Sequence, residues 1–74
     1  MKTILFQSKI EIFSETIEGV VEKTIAHNQP GRVKCFGTYW PAKLHQPNCQ
    51  IEIIAGAPVI VVGRQGITLL VLPA

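Results

Sequence analysis

GRVKCFGTYWPA, residues 31–42, consists of two alternating runs joined at a glycine. Val33 and Cys35 alternate with Arg32, Lys34 and Phe36. Beyond Gly37, Trp40, Ala42 and Leu44 alternate with Tyr39, Pro41 and Lys43. A period of about two residues marks half-buried strands, so the stretch reads as a tight β-hairpin with one apolar face. Trp40 is the single tryptophan of the chain and the largest piece of that face. It is expected to fill the middle of a small core, with earlier residues leading a strand into Gly31 and later ones closing the sheet.

Upstream, a strand is expected from Thr16 through Val20, Val21 and Thr24 to Ala26. Gly19 lies inside it, and a glycine within a strand often marks a bend, which a first strand serving two sides of a small barrel requires. HNQPG at residues 27–31 reads as the turn into the hairpin. Residues 1–16 allow two readings. Ile4, Phe6, Ile10 and Ile12 share one parity of an extended segment, whereas Ile10, Phe13 and Ile17 are spaced for a helix face.

Downstream, Pro47 and Asn48 mark a loop, and residues 50–54 read as a short strand or one turn of helix. AGAP at residues 55–58 is a turn before VIVVG, and RQG at residues 64–66 reverses the chain into ITLLVLP. Five short strands with little helix in 74 residues indicate an all-β fold, a small five-stranded OB-like Greek-key barrel. The expected division is an N-terminal extension at residues 1–16, for docking or oligomerisation, and a barrel at residues 17–74.

A chain of 74 residues is one domain, and at this size it buries only about 60% of its unfolded surface. The core is small, so closure of the barrel and an oligomer are expected to support it. With Val59, Val61, Leu69 and Val71 pointing inward, Ile60, Leu70 and Leu72 fall on the outer face. These three are the candidate protein interface, since a monomer rarely leaves an apolar stripe uncovered.

The net charge of +2 is unevenly spread. Glu11, Glu15, Glu18 and Glu22 outweigh Lys2 and Lys9 in the first 22 residues, while Lys23, Arg32, Lys34, Lys43 and Arg64 outweigh Glu52 in the rest. These five cations are scattered, unlike the clustered charge of a dedicated nucleic-acid binder. No apolar run approaches the ~20 residues that span a bilayer. MKTILF is too short for a signal peptide, so a cytoplasmic location is expected. Cys35 and Cys49 lack CxxC spacing and are expected as free thiols there.

The ordered set of glycines, valines and one tryptophan resembles the C-terminal soluble domain of NfeD-like proteins over roughly residues 17–74. Gly31, Val33, Cys35, Gly37, Trp40 and Ala42 carry the first part of that signature. Gly56, Val59, Val61 and Val62 carry the middle, and Gly66, Leu69, Val71 and Pro73 the end. The resemblance implies a five-stranded OB barrel that acts as an interaction module, paired with a membrane-bound stomatin- or prohibitin-like scaffold protein. Longer members attach membrane helices or a serine protease domain. This sequence shows neither, so direct anchoring and proteolysis are not expected of it. Pro41 stands where the family often has an acidic residue and removes a ladder donor, so its strand is expected to be an edge there. Ile60, Leu70 and Leu72 replace positions more often polar.

No catalytic residue, metal site or cofactor is expected. Ser8 and Ser14 could act as nucleophiles with His27 or His45, but the chain has no Asp, and these serines lie in the segment least expected to be rigid. His27, Cys35, His45 and Cys49 match no common zinc spacing. The rival functional class is single-stranded nucleic-acid binding on the outward face of the hairpin's two strands. Phe36 and Tyr39 would stack bases there beside Arg32, Lys34 and Lys43. Two aromatics and three cations are few, and the apolar stripe suits a protein partner better.

Overall fold

The computed structural model describes residues 9–46 and 50–74; Ile4, Phe6, Ser8, the Pro47–Asn48 loop and Cys49 fall outside them. The described chain is built of strands and turns: β1 (Ile10–Lys23), β2 (Ile25–Ala26), β3 (Gly31–Cys35), β4 (Thr38–Leu44), β5 (Glu52–Ile53), β6 (Pro58–Gln65) and β7 (Thr68–Pro73). Five of them close a barrel in the order β1-β3-β4-β7-β6, and β2 pairs with β5 as a separate two-stranded sheet. All pairings are antiparallel except β4 with β7. The all-β, five-stranded barrel expected from the alternation is the fold. Residues 52–53, legible only as strand or helical turn, form a strand.

β1 begins at Ile10, six residues before the expected start at Thr16, and residues 10–12 take the extended reading rather than the helical one. It is long because it serves two neighbours. Ile10–Ile12 and Ile17–Val20 pair with β6, and Val20–Lys23 pair with β3, so Val20 lies opposite both Pro58 and Lys34. The bends that this double duty needs fall between Ile12 and Ile17 and between Val21 and Lys23, on either side of Gly19.

The hairpin alternates as its sequence implies. Val33, Cys35, Ala42 and Leu44 are buried, and Arg32, Lys34, Tyr39 and Pro41 are exposed. With Val21, Ile25, Ile53, Val59, Val61, Leu69 and Val71 these side chains make one core. β4 has β7 beside it only from Ala42 onward, so at Pro41 the strand is an edge and the missing N–H costs no ladder bond on that side. Trp40 does not fill the middle of the core. It is half-buried and packs against the core from outside, together with Phe13 and Ile17. The physical reason is position along the strand: Trp40 has inward parity but sits near the start of β4, where the barrel runs out.

The two ends of the barrel differ. At one, Ile25 of β2 and Ile53 of β5 are buried in the core. The Val21 N–H donates to the Ala57 carbonyl (2.9 Å), and the Gly56 N–H donates to the Val21 carbonyl (2.7 Å), which ties the connection before β6 to β1. This end is plugged. The other end, ringed by the β3–β4 and β6–β7 turns, is open.

Gly31 enters β3 directly beneath the chain that leaves β1. A Cβ there would collide with the carbonyl oxygens of Lys23 and Thr24 and with the Ile25 side chain at the plugged end. Backbone oxygens do not give way as a flexible side chain would. Gly31→Ala is therefore expected to lower stability by about 2–3 kcal/mol. Set against the roughly 3–5 kcal/mol that a core this small supplies, this removes about two fifths of it or more. The midpoint of urea unfolding followed by circular dichroism measures it, and an unchanged midpoint would show that the backbone moves aside freely.

Candidate protein-interaction surfaces

Three surfaces carry the residues that bear on function. The first is the outer face of β6 and β7. Ile60 and Leu72 lie opposite each other and are half-buried. Leu70 is not part of an exposed stripe, as its parity suggested: it is only 2% exposed. Its partner on β6 is Gly63, which has no side chain to hold neighbours apart, and its partner on β4 is Lys43. The Lys43 ammonium donates to Gln65 Oε1 at 2.7 Å, so the lysine stem crosses β7 and shields the leucine. The exposed apolar surface on this side lies instead on β1, where Ile10 and Ile12 are 55% and 56% exposed. Ile12 lies opposite Gly63, and its side chain is close enough that a Cβ on the glycine would press on it.

The second surface is the outward face of β3 and β4. Arg32, Lys34, Tyr39 and Lys43 do share it, with Phe36 at the hairpin tip. Its cations are already engaged within the chain. Arg32 Nε donates to Glu22 Oε1 at 2.7 Å, Lys34 Nζ lies 5.7 Å from the centre of the Tyr39 ring, and Lys43 is held by Gln65.

The third surface was not anticipated from the sequence. The open mouth of the barrel is a largely apolar cavity of about 270 Å³, with Phe13, Ile17, Trp40, Ile67 and Leu69 among its walls and Phe36 at its edge. Glu11 and Arg64 close one side with an ion pair of 3.0 Å. Trp40 Nε1 is buried and has no hydrogen-bond acceptor. The signal that could have located this mouth is the strong exposure of apolar residues at two turns, Phe36 at 78% and Ile67 at 68%. Hairpin tips are ordinarily polar.

Phe36 and Gly37 occupy the turn between β3 and β4 with φ of 55° and 74°. Positive φ at both central residues suits a two-residue hairpin whose twist matches its strands, and glycine or asparagine is the usual choice at both. A phenylalanine there is strained.

His27 and His45 do not join Cys35, which lies at the mouth while His27 belongs to the turn after β2. No group of three His, Cys, Asp or Glu residues able to hold a metal occurs among the described residues. Cys35 is a buried free thiol, and burial pushes its pKa up. Nor is any helix among the described residues long and apolar enough to cross a membrane.

A closed five-stranded barrel that presents apolar surface at its mouth and flank defines a small β-barrel binding domain. Residues 17–73 match the family of NfeD-like C-terminal, partner-binding domains, and the chain belongs to that family. Among solved structures it is similar to the C-terminal domain of stomatin operon partner protein 1510-C from Pyrococcus horikoshii. The two are 29% identical with a TM-score of 0.64, over 78% of this chain and 83% of that one. No curated protein matches the chain.

Two outcomes follow from the local geometry. Phe36→Gly is expected to raise stability by about 0.5–1 kcal/mol, since relief of a left-handed conformation outweighs the added freedom of glycine when unfolded. A higher urea midpoint measures it, and a lower one would mean that the exposed ring packs usefully on the barrel. In a Cys49→Ser chain, Cys35 is expected to resist iodoacetamide at neutral pH and to react once urea unfolds the barrel. Because folding holds the thiol's pKa above its ordinary value, stability falls as pH rises through the thiol range, where the unfolded chain ionises first. Rapid labelling of the folded protein would place the thiol in solvent.

Proposed function

We propose that this chain is a non-enzymatic protein-interaction module that acts with a membrane-associated stomatin- or prohibitin-like partner and self-assembles. The observation that carries this reading is the match of its barrel to a family described by partner binding. It is supported by the likeness to the C-terminal domain of a stomatin operon partner protein. The chain works in the cytoplasm, peripheral to the membrane through that partner. On this reading it acts by binding, without a cofactor, rather than by catalysis.

Self-association uses the outer face of β6 and β7, with the half-buried Ile60 and Leu72 as its accessible part and Leu70 buried in the same face. Residues 1–16 act as a docking or oligomerisation segment, and residues 17–74 are the barrel unit. Ile10 and Ile12, on the β1 segment beside Gly63, make the face continuous with β1. Binding of single-stranded nucleic acid on Arg32, Lys34, Phe36, Tyr39 and Lys43 is the weaker reading, because the three cations already hold partners within the chain.

The test is capture of partners from detergent-solubilised cells by the tagged chain, with and without nuclease, beside light scattering of the purified protein. A stomatin-like protein retained after nuclease supports the reading, and proteins released by nuclease would move the function to the basic face. Ile60→Ser with Leu72→Ser is expected to convert a dimer or larger species to monomer while the barrel still melts cooperatively. An unchanged mass would count against self-association through this face.

A further inference from the structure

We propose that the open mouth of the barrel and the free edge of β1 beside it form one groove. The groove takes an extended segment of a partner protein, with one bulky apolar side chain in the mouth and basic residues alongside. This rests on the partner-binding reading and assigns it a place and a chemistry.

The edge comes first. β3 pairs with β1 only from Val20 onward and still lies against Gly19 through Lys34 and Cys35, so Ile10–Glu18 have a paired strand on the β6 side alone, and Phe13–Thr16 are out of register even with β6. Unpaired backbone N–H and C=O groups in an extended strand are a template for one more strand. In strand addition the main chain supplies affinity and a pocket for an alternate side chain supplies selectivity. Phe13 and Ile17, on that same stretch of β1, are walls of the mouth. A segment laid along the edge therefore passes over the cavity.

The cavity then sets the side chain. A closed apolar space of roughly 150 Å³ already binds benzene, so about 270 Å³ accommodates an aromatic or branched side chain. It is small for a cofactor, whose sites run from roughly 300 to 1,000 Å³. The buried Trp40 Nε1 lacks an acceptor, and a backbone carbonyl next to the inserted side chain provides one. Phe36 remains at φ 55° and 78% exposed at the rim. Strain of that kind collects at ligand clamps, where the side chain is worth its cost.

Charge chooses between a partner and a second copy. Glu11 and Glu22 are matched by Arg64 and Arg32. Glu15 and Glu18, also on β1, form no ion pair among the described residues. A second copy would offer its own β1, with four glutamates against Lys23, and like charges on adjoining strands repel. A segment bearing Lys or Arg complements the edge instead.

The experiment is selection from a random dodecapeptide phage library on the immobilised full chain, with Phe36→Gly and Ile67→Ser chains in parallel. Both substitutions fall at exposed turn positions, and the first is expected to stabilise the fold. The wild type should enrich peptides with an aromatic or branched apolar residue flanked by Lys or Arg. Each variant should bind them at least about tenfold more weakly. The best peptide should also shift the single indole N–H resonance of the ¹⁵N-labelled chain. No enrichment, an acidic consensus, equal binding by the variants or an unmoved indole signal would each overturn the proposal. Capture of the stomatin-like protein by the same three chains separates the two readings. Equal capture by all three overturns the mouth as the site while partner binding stands. Absence of capture by the wild type, with peptides still selected, overturns the stomatin-type partner and leaves the groove.

Discussion

Everything in this barrel depends on one strand bonding to two neighbours. β1 pairs with β6 through Val20 and with β3 from Val20 on, and the ring closes where those two pairings meet. Among the described residues the second sheet, β2 with β5, is two short strands that cover one end of the barrel and not its inner face. Closing the sheet on itself buries that face and leaves few unpaired edges. The cost is that β1 must bend twice, and each bend leaves residues that do not pair in register. The stretch Phe13–Thr16 is where that cost is visible.

The same constraint makes the two ends unequal. β2 follows directly from β1 and pairs with β5, which brings Ile25 and Ile53 across one end and completes the core. At the other end β3 turns away at Cys35 before it can accompany the first half of β1. The result is a mouth walled on one side by β1 and on the other by hairpin tips. Its apolar walls and the unpartnered Trp40 Nε1 follow from the geometry of closure, and they also make the mouth fit for a visiting side chain.

Burial and charge divide the outer surface. Lys43 reaches over β7 to Gln65 and protects Leu70, so a leucine on the outward parity becomes part of the interior. Arg32 and Lys34 are likewise engaged by Glu22 and Tyr39. Ion pairs with such exposed partners contribute little to stability, yet they occupy the cations that a nucleic acid would need. What stays open is apolar and acidic: the mouth, the outer isoleucines of β1, and the carboxylates of Glu15 and Glu18.

The alternation of GRVKCFGTYWPA, VIVVG and ITLLVLP was enough to determine an all-β barrel, its inward residues, the edge at Pro41 and the family. These properties depend on a period of two and on turn chemistry, both of which are local. The plugged and open ends, the burial of Leu70 and the displacement of Trp40 from the core to the mouth were decided only by tertiary structure. Parity assigns a side chain to a face, but it does not say where along the strand the barrel ends or which long side chain from a neighbouring strand lies over it. Those are set by the register between strands distant in sequence, and register appears only once the ring is closed.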